Sequence, residues 1–169
     1  MDTIEAIHTR RSIREYHDKP IPDDMVTEIL KAAMAAPSAG NQQPWEFVVI
    51  TDKRILDKIP SINPFAKMAP NAPVGILVCG DFKAERFPGN WVLDCAAATQ
   101  NMLLCAHALG LGAVWTGIYP EEERMSGFIE LLQIPEHVIP HTLVVFGYPI
   151  QQPGPQDRFK PERIHKNSW

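Results

Sequence analysis

The chain has only three cysteines, Cys79, Cys95 and Cys105, and no Cys-x-x-Cys or His-Glu-x-x-His spacing. An odd count set in apolar stretches argues against a disulfide framework and leaves each thiol as a small hydrophobe. Cys105 and His107 lie two apart on a helical stretch and so point to different faces, which leaves no metal site. No apolar run approaches the roughly 18 residues of a membrane helix. The start, Met1-Asp2-Thr3-Ile4-Glu5, lacks the charged and apolar regions of a secretory leader. A cytoplasmic protein without a membrane partner is expected. Sixteen Lys and Arg against twenty Asp and Glu give a net charge of −4, with no long basic stripe. Nucleic acid is therefore excluded as a partner on electrostatic grounds.

Catalytic signatures are missing too. There is no Gly-x-Gly-x-x-Gly after a strand, no Gly-x-x-x-x-Gly-Lys-Ser/Thr loop and no Gly-x-Ser-x-Gly elbow. Ser12, Ser38, Ser61, Ser126 and Ser168 carry no pattern that ties them to the six histidines. A hydrolase is therefore disfavoured; were the reactive atom to belong to a bound cofactor, the protein would need only to hold, orient and electrically tune it.

With 169 residues the chain is one domain, residues 1–169, long enough to bury a core. Asp2 caps a helix of about eight residues with Glu5 as capping-box partner and Ile4 and Ile7 as apolar anchors. A second helix opens at Pro22 and buries Met25, Val26, Ile29, Leu30 and Ala33. Strands follow at 47–50 and 74–79, with a short helix after Asp52 and a proline-punctuated stretch, 60–73, between them. The span 90–109 is the strongest helix. It is apolar nearly all round, thin with alanine, and ended by Gly110, which fits a subunit interface as well as a core. A strand at 113–116, a helix at 121–132 and a strand at 143–147 complete the core. The Pro- and Gln-rich tail from Pro149 cannot fold alone and needs a surface to lie on.

Two basic clusters remain: Arg10-Arg11-Ser12-Ile13-Arg14 at the end of the first helix, and Arg158 with Lys160 and Arg163 in the tail. Guanidinium forks plus a hydroxyl suit a phosphate, although for the first cluster taken alone a solvated basic patch offset by Glu15 and Asp18 is the plainer account. Between the clusters lie Pro37-Ser38-Ala39-Gly40-Asn41-Gln42-Gln43-Pro44-Trp45 and Gly110-Leu111-Gly112-Ala113-Val114-Trp115-Thr116-Gly117, and the chain closes on Arg158-Phe159-Lys160-Pro161 and Trp169. In this order and spacing the chain resembles, nearly end to end, the FMN-dependent nitroreductase family in its short branch.

That resemblance implies an α+β fold, a three-layer α/β/α sandwich with a central mixed sheet, forming a homodimer whose tails are exchanged between subunits. It implies an oxidoreductase in which NADH or NADPH reduces FMN and a flat acceptor, a nitroaromatic or a quinone, then takes two electrons in a ping-pong cycle. Arg10, Arg11 and Ser12 would hold the FMN phosphate, with Arg158 or Lys160 closing that site from the tail. Arg14 would face the pyrimidine edge of the ring and tune it. Lys67 would either share that role or be a surface lysine. Pro37, Ser38, Ala39 and Asn41 would reach the ring from the opposite subunit, and the backbone of Trp115, Thr116 and Gly117 would face flavin N5. Trp45 reads as core. Larger family members cap the site with an inserted helical segment that this chain nearly lacks, so an open acceptor pocket is expected. The same scaffold also serves flavin fragmentation and dehalogenation, and a non-catalytic FMN carrier or sensor is the other alternative.

Overall fold

The computed structural model describes residues 1–154 and 156–169. Helix α1 (Thr3–Thr9) begins where the Asp2 carboxylate accepts the Glu5 N–H at 2.9 Å. The expected cap is in place; the expected anchors are not. Only Ala6 is buried, while Ile4 and Ile7 are 64% and 50% exposed, because the helix docks through its one small residue and leaves the opposite stripe open. A two-residue strand, β1 (Tyr16–His17), precedes α2 (Asp23–Met34), which buries Val26, Ile29 and Ala33 as its apolar spacing requires. Then come β2 (Trp45–Ile50), the short helices α3 (Lys53–Leu56, capped by Asp52) and α4 (Ile59–Ile62), β3 (Val74–Asp81), α5 (Trp91–Ala108), β4 (Gly112–Gly117), α6 (Glu122–Leu132) and β5 (Val138–Pro149).

The twelve-residue β5 organises the sheet. It pairs with β3, which pairs with β2, and it also pairs with β4 and, near its C-terminal end, with β1. Every one of these pairings is antiparallel, which corrects the expected mixed sheet; parallel pairing among the described residues is confined to the isolated bridge between Ser12 and Ala113. A strand–helix–strand order such as β3–α5–β4 reads in sequence as adjacent parallel strands. Here β3 and β4 do run the same way, but β5 lies between them.

Two cores flank the sheet. α2 and α5 cover one face through Ile29, Ala33, Trp91, Cys95, Ala98 and Met102 against Ile76, Val78, Val144 and Phe146. The other face packs Leu56, Ile59, Ala69 and Phe128 against Leu77, Cys79, Leu143 and Val145. This is the expected three-layer arrangement, and Trp45 lies in its core. Burial pushes the Cys79 thiol up to about 12 and raises that of Cys95 as well, so both behave as apolar fillers.

Two glycines join α5 to β4. Gly110 takes φ +80° just past the helix, the left-handed turn that lets α5 end. Gly112 is needed for space: a Cβ there would lie 2.7 Å from both Cβ and Cγ2 of Ile13. The missing side chain lets the segment after α1 lie against β4, held by a 3.0 Å bond from the Ile13 N–H to the Ala113 carbonyl. Gly112→Ala is expected to lower stability by about 1–3 kcal/mol, the usual cost of overpacking a rigid contact. Urea unfolding of the variant measures it, and an unchanged midpoint would show that Ile13 moves aside freely.

Candidate functional site along the outer edge of β4

Successive residues of a strand send their backbone groups to opposite edges. In β4, whose inner edge is taken by β5, the Ala113 carbonyl accepts from Ile13. The Gly117 carbonyl accepts from Asn63 Nδ2 at 3.2 Å and from Arg124 Nη1 at 3.3 Å. Ala113 and Gly117 therefore face outward, and so does Trp115 between them, whose N–H and C=O have no backbone partner on that side among the described residues. The parallel bridge between Ser12 and Ala113 seats residues 12–13 against the start of β4. The chain then turns toward the C-terminal end of β5, where the Glu15 carbonyl accepts the Ile150 N–H and Tyr16 pairs with Pro149, so Arg10 and Arg14 both lie on the side of the strand's start, away from Gly117.

At the start of the strand, Arg10, Arg11 and Arg158 line one cleft of about 420 Å³ with Gln156, Asp157 and Phe159. Among the described residues no carboxylate lies within 4.0 Å of these three guanidinium groups, since the three ion pairs present are all elsewhere. Burial first, then the Arg158 and Arg11 charges, lower the Arg10 guanidinium from its ordinary value. Burial and the Arg10 and Arg11 charges likewise lower His107, whose Nε2 lies 2.8 Å from Thr9 Oγ1. Repulsion of this kind is what an incoming anion relieves. The tail supplies Arg158 to the cleft; Lys160 is exposed and does not line it.

Arg14 lines a second cleft, about 570 Å³, with Lys53, Pro70, Asn71 and Pro73, and its N–H donates to Gln151 Oε1 at 2.9 Å. Lys67 is exposed on the segment leading to this cleft. That segment is fixed by Asn63, wholly buried, which donates to Gly117 and accepts the Phe65 N–H at 3.1 Å. The Trp115 indole meets His141 edge to face at 5.9 Å, and Thr116 spends its hydroxyl on the Leu143 carbonyl at 2.9 Å. Their side chains serve the sheet, while the strand's backbone faces the site.

Pro37, Ser38, Ala39 and Asn41 line neither cleft. Their loop is held at the α5 side: Asp94 Oδ1 accepts the Ala39 N–H at 2.9 Å and its Oδ2 accepts from Gln42 Nε2 at 2.6 Å. Gln42 Oε1 in turn accepts the Arg86 and Phe87 N–H groups, Ser38 Oγ accepts the Gln43 N–H, and Asn41 takes φ +56°. Asn63, Asp94 and Arg124 escape the sequence analysis. The first two carry a weak signal, a lone polar residue in an otherwise apolar run; Arg124 carries none.

The sequence model described as "Nitroreductase family" matches residues 7–64 and 62–148. The chain is 52% identical, over all its residues and 88% of the relative, to a Methanothermobacter thermautotrophicus protein provisionally named an NADH dehydrogenase/NAD(P)H nitroreductase. A crystal structure under the same provisional name from Parabacteroides distasonis superposes with a TM-score of 0.95 at 40% identity, covering 99% of this chain and 98% of that one. A provisionally named nitroreductase from Desulfovibrio desulfuricans, crystallised in complex with FMN, superposes at 0.86 with 33% identity, covering 100% of this chain and 98% of that one.

Behind Trp115, His141 is buried with no partner for Nδ1 among the described residues, and burial depresses its imidazole to about 4. The unfolded chain binds a proton near pH 6.5 that the folded protein refuses. The contribution is thus complete above that pH and is lost as pH falls, by about 2 kcal/mol between pH 7 and pH 5. Denaturant titrations at the two pH values should show that loss in the wild type and a smaller one in His141→Gln. Equal slopes would place the acid sensitivity elsewhere.

Proposed function

Since this chain belongs to the nitroreductase family, we propose that it is an NAD(P)H-dependent FMN oxidoreductase acting on nitroaromatic, quinone or similar flat acceptors. The observation that carries the reading is the cleft of Arg10, Arg11 and Arg158, three guanidinium groups with no carboxylate within 4.0 Å among the described residues, beside the outward backbone of β4. That donor set fits a phosphate dianion: charge-assisted bonds from planar forks are the strong ones. FMN, when bound, supplies the two-electron chemistry, accepting from NADH or NADPH and passing to the acceptor in alternate half-reactions.

The protein's part is to hold and tune. Arg10, Arg11 and Ser12 take the phosphate with Arg158, while Lys160 stays at the rim. Arg14, aided by Lys67, puts positive charge at the pyrimidine edge, where reduction accumulates negative charge. The N–H groups of Trp115 and Gly117 face the ring from the strand's edge, and the absence of a side chain at Gly117, where a Cβ would meet nothing within 4 Å among the described residues, keeps that approach open.

The second part of the reading is a homodimer, which brings Pro37, Ser38, Ala39 and Asn41 of the partner to the ring. Support comes from apolar groups without cover in a single chain: Ile4 and Ile7 on α1, Leu93 on α5 at 67% exposure, and Phe159, Ile164 and Trp169 in the tail. A tail exchanged between subunits covers such groups mutually. We read residues 1–169 as one domain, placed in the cytoplasm. No helix among the described residues is long and apolar enough to cross a membrane.

Purified protein should be yellow, release FMN rather than FAD on denaturation, and bleach when mixed anaerobically with NADH or NADPH. A flavin that neither reductant bleaches would identify a carrier. Arg10→Ala should weaken FMN binding by about ten- to a hundredfold, as expected for lost charge-assisted bonds. Arg14→Ala should retain more flavin but lower its midpoint potential. Dissociation constants and potentiometry on both variants decide the assignment: equal affinity losses with unchanged potentials would mean both arginines serve the phosphate.

Deleting residues after Gly154 should cost both dimer and flavin. Light scattering that finds a flavin-bearing monomer would overturn the interface.

A further inference from the structure

Arg124 is not required by the scheme above, yet it stands at the open end of β4. Its Nη1 lies 3.3 Å from the Gly117 carbonyl, and its guanidinium carbon sits over the Phe65 ring at 4.9 Å from the centroid. It has no carboxylate within 4.0 Å among the described residues. It is also a cation in the first turn of α6, where the helix dipole favours negative charge and where Glu122 and Glu123 conform. Helix stability does not explain it.

Phe65 is equally unexplained by packing. It is 64% exposed, while its backbone is fixed by the buried Asn63 that also grips Gly117. A solvent-facing phenyl on a fixed backbone, with a guanidinium across its face, is a pair already brought together before a ligand binds. Arg124 presents five N–H donors, and the Gly117 carbonyl occupies one nitrogen, so the fork retains donors for a carboxylate.

We propose that Arg124 and Phe65 form an anion-selecting rim of the substrate pocket at the open end of β4, favouring flat aromatic substrates that carry a carboxylate or phosphate. This rests on the oxidoreductase reading, which places the substrate's reacting end over that edge. The aromatic body lies against Phe65 and the anionic group meets the free part of the Arg124 fork. Two sources share the chemistry: the acceptor's own carboxylate and the 2′-phosphate that distinguishes NADPH from NADH.

The test compares substrates differing by one charge. With FMN-loaded protein, kcat/KM is measured for 4-nitrobenzoate and nitrobenzene, and for NADPH and NADH, in wild type, Arg124→Ala, Arg124→Lys and Phe65→Leu. Arg124→Ala should lower the ratio of anionic to neutral substrate about ten- to a hundredfold through KM, the size of a lost charge-assisted bond. Arg124→Lys should recover part of it, since the charge returns without the fork. Phe65→Leu should lower the ratio less. A fall in the acceptor ratio assigns the anion to the acceptor, and a fall in the NADPH/NADH ratio assigns it to the reductant. Ratios unchanged in both pairs overturn the proposal.

Calorimetric binding of benzoate to the FMN-loaded protein gives a readout without turnover. Affinity should drop in Arg124→Ala, and equal affinity in the two proteins also overturns it. Wild-type protein that holds no FMN, or whose FMN neither reductant bleaches, would instead sink the underlying oxidoreductase reading. In that case benzoate binding to wild type and Arg124→Ala still tests the rim.

Discussion

One backbone hydrogen bond, from the Ile13 amide to the Ala113 carbonyl, sets the relation between the N-terminal basic run and the strand it lies on. It seats residues 12–13 at the start of β4, and the chain then turns onto the C-terminal end of β5 through Glu15 and β1. That turn parts Arg10 and Arg11, in one cleft, from Arg14 in another. The contact depends on Gly112 for space and on β5 to occupy the strand's other side.

Two loops of the protein are each tied to a different core by one buried polar residue. Asp94 stands in the layer of α2 and α5 and holds the 38–42 loop through the Ala39 amide and Gln42. Asn63 borders the opposite layer and holds the 63–67 segment to Gly117. A buried carboxylate or amide is costly unless satisfied, so each is specific about its partner. Loops that would otherwise drift over the surface inherit the rigidity of the layer beneath them.

Much of this was legible in the chain. The α5 boundaries follow from an apolar stretch closed by Gly110, and the arginines expected to converge from the two ends of the chain, Arg10, Arg11 and Arg158, do line one cleft. Other features were not. β5 starts at Val138, well before the expected 143, because Pro140 reads as a breaker; it sits where the β3–β5 register shifts, at Val78 and Cys79, a place where a strand tolerates a missing N–H. Strand direction escaped because β5, the last strand in sequence, is inserted between two earlier ones. Asn63, Asp94 and Arg124 escaped because the groups they hold lie 54, 55 and 7 residues away along the chain, at distances no local pattern encodes.

The position of β5 in the chain also bears on how the protein is made. β2 and β3 can pair once residue 81 has emerged from the ribosome, but β4, completed at residue 117, has no strand partner until residues 142–147 follow. Through that interval its apolar side chains and the backbone edge that β5 takes are without a sheet neighbour, the condition under which nascent chains aggregate. The lone α6 between β4 and β5 keeps the interval short. A long insertion in that connection would lengthen the exposure of the strand on which the site is built, whereas a similar insertion between α1 and α2 would leave the timing of β4 unchanged.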